Sequence, residues 1–216
     1  LQSGRSRANL GDPQGALENL DRADEIAARL QEAAPGNPET LALRARIAMH
    51  HAAIAMNSRQ ELDSATDLLA QAGKYIAAIP ADTRRAKLLS MQHEMETAIL
   101  GNWKGTYAEA EAHARKGIAI AEALPSDPAD AREAQYLLAR IYDALGEAVY
   151  YGAGIPASAP VYERLVEITS AYLAANPDDA LGQRLAIEAR WALGATLLGI
   201  GRPKDGLREM QAAATL

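Results

Sequence analysis

The chain has 216 residues, carries 22 Lys and Arg against 28 Asp and Glu for a formal net charge of −6, and contains no cysteine. The missing cysteine excludes disulfide scaffolds, iron–sulfur clusters and thiol catalysis. The acidic balance argues against a nucleic-acid-binding surface and against a polybasic membrane patch, because both need clustered Lys and Arg.

Alanine dominates the composition, with 48 of the 216 residues, and phenylalanine is absent. Alanine is the best helix former and a poor strand former, and it lets helices approach closely. We therefore expect layers of helix on helix around a thin core.

The N-terminal residues Leu1, Gln2 and Ser3 have neither an initiator Met nor the apolar stretch of a signal peptide. No apolar run reaches the roughly 20 residues of a membrane span, so we expect no membrane insertion. These features predict a cytoplasmic protein and a chain that is part of a longer one.

Proline and glycine divide the chain into segments with apolar residues at helical spacing. An Asx residue followed by Pro, the usual start of a helix, occurs at Asp12-Pro13, Asn37-Pro38, Asp127-Pro128 and Asn176-Pro177. In chain order the pattern predicts nine helices and no strand: 13–34, 38–56, 60–79, 82–103, 107–123, 129–151, 158–175, 178–199 and 203–215.

The turn glycines Gly11, Gly105 and Gly201 lie 94 and 96 residues apart, which is about two units of 47 residues each. A recurring unit of this length holds one helix pair. A lone pair cannot bury its apolar face, so the units are expected to stack.

The recurring residues resemble the tetratricopeptide repeat (TPR). The phrase Asn9-Leu10-Gly11-Asp12-Pro13 precedes a helix with a small, a large and a small residue in register. The register is followed at Ala16, Leu20 and Ala23, at Ala65, Leu69 and Ala72, and at Gly206, Met210 and Ala213. The middle units match less well: Ala110, Ala114 and Gly117 are all small, and Leu165 breaks the small-residue rule after Ser158 and Tyr162. The long units and the Pro-Gly-Asn-Pro stretch at 35–38 are similar to TPR tracts appended to bacterial serine/threonine protein kinases.

The resemblance implies an all-α fold, a right-handed α-solenoid of stacked antiparallel helix pairs with about nine helices. It implies one repeat domain over residues 1–216, with units of about 1–37, 38–81, 82–127, 128–176 and 177–216. In this family the first helix of each unit lines a concave groove that binds a peptide or a partner domain.

Transferred by register, the resemblance places one stripe of candidate groove residues on each first helix. Aromatic residues and Arg are frequent in binding hot spots. Packing remains the alternative role for Trp103, Trp191 and the tyrosines. The candidate partner-binding residues are Tyr136, Arg140, Asp143, Glu147, Tyr150, Arg184, Glu188, Trp191, Met95, Ile99 and His50.

The sequence contains no recognisable catalytic or cofactor-binding constellation. His50 and His51 are adjacent and face different directions on a helix, and no third metal ligand lies near them in sequence. Gly152-Ala153-Gly154 follows a predicted helix and lacks the Lys of a phosphate-binding loop. We expect no catalytic residues, no metal and no cofactor.

The favoured function is a non-catalytic scaffold that binds a protein or peptide partner, in a regulatory or recruitment region of a larger, kinase-like bacterial signalling protein. Two alternatives stay open: a small-molecule-sensing helical regulatory domain, and the TPR region of a transcriptional regulator. A homodimer formed through the repeat ends is also expected, because exposed repeat ends tend to associate.

Overall fold

A computed structural model describes residues 12–125, 127 and 130–216, which contain nine α-helices and no strand. The helices are α1 Pro13–Ala33, α2 Pro38–Ile54, α3 Leu62–Ala77, α4 Arg84–Lys104, α5 Tyr107–Glu122, α6 Ala131–Gly152, α7 Ile155–Ala175, α8 Ala180–Gly199 and α9 Pro203–Ala213. The all-helical prediction is confirmed, and every helix begins and ends within three residues of its predicted bounds.

Within this part of the chain, no helix is both long and apolar enough to cross a membrane. The structure divides into two compact units, which meet in sequence between Lys104 and Gly105. The first unit holds α1–α4 and the second holds α5–α9. The five repeat units and the single domain over 1–216 stay predictions.

In the first unit each helix packs on the next one, and α2 also contacts α4. The core is built from Leu, Met and Ala, with Met49, Met56 and Leu89 almost fully buried. After α2 the chain continues as a π-helical turn, Ala55–Arg59, which ends at Gln60 in a left-handed conformation (φ 55°). The sequence predicted a helix over 38–56 and did not indicate the π-helical turn at its end.

The second unit repeats this arrangement with five helices. Each helix packs on the next one, and α6 also contacts α8. Its core centres on α7, where Leu165 is fully buried and Tyr162 is 7% exposed, between Leu185 and Leu193 of α8 and Ala139 of α6. The contact between α6 and α8 makes these two helices neighbours although α7 lies between them in sequence.

Small residues form the helix contacts, as the composition predicts. The buried residues of α3 are Ala65, Leu69 and Ala72, and those of α5 are Ala110, Ala114 and Gly117. Larger side chains lie directly over helix glycines: Tyr162 over Gly146, Tyr172 over Gly182 and Met210 over Gly194.

Two of the four predicted helix starts are confirmed. Asp12 accepts a hydrogen bond from the Gly15 amide, and Asn37 accepts from the amides of Glu39 and Thr40. The predicted start at Asn176-Pro177 is wrong.

Asn176 instead ends α7, and its side-chain amide donates to the Tyr172 carbonyl. The helix start lies at Asp179, whose carboxylate accepts from the Leu181 and Gly182 amides. Three Asx residues precede α8, Asn176, Asp178 and Asp179, and the last of them caps the helix. Pro128, of the fourth dipeptide, lies outside the described residues, and α6 starts after it at Ala131.

We expect Gly182→Ala to destabilise the protein. A Cβ at this position would lie 2.4 Å from Cε1 of Tyr172. Overpacking of this kind costs about 1–3 kcal/mol, of which the better helix propensity of Ala returns about 1 kcal/mol. Urea unfolding measures the loss. In a Tyr172→Ala background the same change should cost little, and an equal cost in both backgrounds would contradict this packing.

Replacing the left-handed Gln60 by Gly should stabilise the protein. A side chain in this conformation costs about 1–2 kcal/mol, and the greater freedom of Gly in the unfolded chain offsets part of the gain. We expect a net gain of about 0.5–1 kcal/mol in the free energy of unfolding. Ser58→Gly, two residues earlier within the helical turn, is the control and should destabilise. A loss of stability in Gln60→Gly would contradict the assigned conformation.

Candidate functional site

The strongest concentration of polar and aromatic side chains lies in the second unit, on α6 and α8. We call it the α6–α8 face, and it consists of Tyr136, Arg140, Asp143, Glu147 and Tyr150 of α6 with Arg184, Glu188 and Trp191 of α8. The α6 residues are spaced at i, i+4, i+7, i+11 and i+14, which places them on one side of the helix. The two helices are in contact, and Glu188 of α8 acts electrostatically on Asp143 of α6.

Asp143 lies at the centre of this face, and its surroundings disfavour a charged carboxylate. Burial raises its pKa to about 6, Arg140 opposes this rise, and Glu188 and Glu147 add to it by repulsion. Glu188 belongs to α8, so its effect on Asp143 shows that the two helices bring carboxylates together.

Arg184 and Glu188 are the charged members of the face on α8. In the structure Arg184 pairs with Glu188 along α8, at 3.5 Å from Nε to Oε1. Both side chains are about half exposed, so the pair adds little stability.

Tyr162 of α7 is a member of this site that the sequence reading assigned only to packing. Its ring lies against Gly146, with Cε1 at 2.4 Å from the position of an added Cβ. Burial raises the pKa of its hydroxyl far above the usual range, and Asp143 and Glu147 raise it further. Gly146 was the sequence feature that could have indicated this contact, because a glycine within a helix leaves room for a large side chain of a neighbouring helix.

Tyrosines continue the site toward the end of α6. Tyr151 stacks on Tyr107 of α5 with ring centroids 5.4 Å apart, and Tyr150 meets Tyr151 edge-on at 5.0 Å. We call these three residues the tyrosine cluster. Tyr151 is 60% exposed, and both Tyr150 and Tyr151 act on the Tyr162 hydroxyl. The cluster thus adjoins the carboxylates.

The remaining candidates of this unit take different positions. Trp191 is 52% exposed on α8, although packing was its alternative role. Tyr136 is half-buried and packs against Tyr172 of α7, with centroids 6.1 Å apart. Trp191 therefore offers contact surface, whereas Tyr136 mainly supports the packing of α6 on α7.

The candidates of the first unit are less accessible. Met95 is 6% exposed, Ile99 packs against the core, and His50 is half-buried. Trp103, at the end of α4, is 46% exposed. The candidates on α4 present little apolar surface to a ligand, because Met95 is buried and Ile99 packs against the core.

The first unit contains a cleft of about 540 Å³ that the sequence reading missed. It is lined by Asp21, Asp24, Glu25, Ala28, Arg44, Ile47, Ala48, His51, Leu68, Gln71 and Tyr75. Arg44 organises it: its guanidinium lies 4.9 Å from the Tyr75 ring centroid and donates to Gln31 at 2.8 Å. The residues that line the cleft belong to α1, α2 and α3, so their spacing in the sequence does not indicate it.

Among the residues with described positions, no three His, Asp or Glu side chains converge in a way that could hold a metal ion. Comparison of the sequence with protein-family models and with curated proteins finds no match. Any functional assignment must therefore come from the chain's own residues.

Asp143→Asn should stabilise the protein at pH 8 and have little effect at pH 4. The folded-state pKa of about 6 lies above the ordinary value of 3.8. The native state is therefore favoured while the carboxyl is protonated, and this advantage is lost as pH rises through about 6. At pH 8 the amide should gain roughly 1–3 kcal/mol in urea unfolding. Asp67→Asn, exposed on α3, is the control for the loss of one charge, and equal gains in both variants would contradict this assignment.

Proposed function

We propose that this protein is a non-catalytic protein-binding module that holds a peptide or partner domain on its α6–α8 face. The observation that carries the proposal is the composition of this face. An exposed Trp191 and an exposed Tyr151 accompany a group of charged residues around the half-buried Asp143. Exposed aromatic side chains next to partly desolvated charges are typical of binding hot spots.

We further propose a TPR-like architecture, a right-handed α-solenoid of antiparallel helix pairs. The contacts of α2 with α4 and of α6 with α8 support it, since in such a solenoid the first helices of successive pairs are neighbours. The recurrent small, large and small register supports it as well. On this basis the α6–α8 face is the inner, concave surface of the second unit.

The parent protein is proposed to be a larger bacterial signalling protein of the kinase-linked type, in which this region recruits substrates or regulates a catalytic domain. The support is the likeness of the Asn-Pro stretches and the long repeat units to such tracts.

A small-molecule-sensing function is the second candidate, and the cleft of the first unit favours it. Its volume of about 540 Å³ lies within the range of ligand-binding pockets. A thermal-shift screen tests this alternative, because a ligand at 100 times its Kd stabilises the native state by about 2.7 kcal/mol. If such a ligand is found and Arg44→Ala abolishes its effect, the second candidate gains support.

Peptides selected from a random display library on the immobilised chain should bind through Trp191. We expect Trp191→Ala to weaken their Kd, measured by fluorescence polarisation, about tenfold or more. Leu207→Ala on α9 is the matched control, since Leu207 is 53% exposed and lies outside the face. Its effect should stay below about twofold.

Two results would overturn the proposal. One is that no peptide is enriched over the empty support. The other is that Trp191→Ala and Leu207→Ala weaken the selected peptides equally, which would place the binding surface elsewhere.

A further inference from the structure

The cleft of the first unit combines an apolar floor with one acidic wall, and this combination indicates what the cleft can hold. We propose that it binds a small primary aliphatic amine, whose ammonium group lies between Asp21 and Glu25 and whose hydrocarbon stem lies on the floor. The inference goes beyond the protein-binding function, since the cleft belongs to a different unit from the α6–α8 face.

The floor of the cleft is hydrocarbon. The cleft lies over α2, and both α1 and α3 pack against that helix. Ile47 and Ala48 of α2 form the floor, and the half-buried Ala28 and Leu68 extend it onto α1 and α3. A cavity of about 540 Å³ with these walls is large enough for a small ligand and offers it apolar contact on three sides.

Arg44 and His51 of α2 lie toward the two ends of the cleft, seven residues apart, which is about 10 Å along a helix. Arg44 is held in place from several sides. Its guanidinium group donates to Gln31 at 2.8 Å, lies 3.4 Å from the Asp24 carboxylate (Nε to Oδ1) and lies 4.9 Å from the Tyr75 ring centroid. This end of the cleft therefore already holds a cation with its counter-charge, and it repels a second one.

The wall that α1 contributes carries an excess of negative charge. The described carboxylates that line the cleft are those of Asp21, Asp24 and Glu25, against the guanidinium group of Arg44. Asp24 faces Arg44, whereas Asp21 and Glu25 are one helical turn apart, and like charges at this spacing repel each other. Asp21 lies 3.7 Å from His51, which compensates its charge only when the imidazole ring is protonated. One ammonium group between Asp21 and Glu25 would relieve the repulsion.

The position of these carboxylates favours an ammonium group as the ligand's charged end. The Asp21 side chain is 69% exposed and Glu25 is exposed as well, so both lie at the rim of the cleft. An ammonium group is compact and strongly hydrated, and at the rim it keeps part of its water while the attached stem leaves it. The described residues of the opposite wall, Leu68, Gln71 and Tyr75, are uncharged. A carboxylate ligand would be repelled, and a neutral alkyl chain would lack the ionic contact.

The test is an NMR titration of the full chain, labelled with ¹⁵N, with hexylamine at pH 8, where an alkylamine is protonated. We expect saturable shifts in the millimolar range at the amides of residues 21–28 and 44–51. Hexanol has the same length without the charge and should bind at least about fivefold more weakly. Hexamethylenediamine should also bind more weakly than hexylamine, because its second ammonium group extends toward Arg44.

Three variants separate this site from a general attraction of cations to an acidic protein. Glu25→Gln removes one carboxylate of the proposed pair and should weaken hexylamine about threefold or more. Glu32→Gln, exposed on the same helix and outside the cleft, loses the same charge and should leave the Kd unchanged. Ala28→Leu fills the cleft and should abolish binding, while far-UV circular dichroism checks that the helices remain.

Four results would overturn the proposal. These are equal binding of hexanol and hexylamine, equal losses in Glu25→Gln and Glu32→Gln, full binding by a folded Ala28→Leu variant, and shifts that do not saturate. None of them affects the selection of peptides that bind through Trp191, which lies in the other unit. Failure of the amine site and failure of the protein-binding function are therefore distinguishable.

Discussion

Close contact between helices through alanine and glycine is the constraint on which the rest of this structure depends. A chain without phenylalanine has few large side chains to fill a thick core. Its helices must therefore approach until side chains of one helix contact the backbone of another. The glycines at 146, 182 and 194 show the limit of this approach, because each is covered by a large side chain of a neighbouring helix. Thin helical layers leave much side-chain surface outside the core, and the proposed binding face is part of this surface.

The same packing brings polar groups close to α6. Gly146 leaves room for the Tyr162 ring against the α6 backbone, and Asp143 and Glu147 raise the pKa of the buried Tyr162 hydroxyl. Glu188 of α8, a helix that also contacts α6, raises the pKa of Asp143. Helix packing over glycine thus determines which polar side chains of different helices influence one another.

Periodicity and turn chemistry predicted the helices, and the small-residue register predicted the buried sets of α3 and α5, because local sequence determines both. The sequence did not predict the π-helical turn before Gln60 or the start of α8 at Asp179 instead of Asn176. Both depend on which of several local backbone conformations packs best against the neighbouring helices. The site was predicted in part. The stripe of α6 follows from helical spacing, but the roles of Tyr162 and Arg44 depend on side chains from other helices, and no spacing rule reveals them.

The unfavourable state of Asp143 argues for a role outside folding. A carboxyl group held near two others loses solvation and suffers repulsion, and an asparagine or a hydrophobic residue would remove that cost. Structural carboxylates elsewhere in the unit avoid this cost. Asp179 gains hydrogen bonds from Tyr172, Arg132 and the Gly182 amide, which together lower its pKa despite burial. Asp179 is stabilised as a carboxylate by hydrogen bonds, whereas burial and two neighbouring carboxylates disfavour the charged form of Asp143, so only Asp179 has an evident role in holding the fold together.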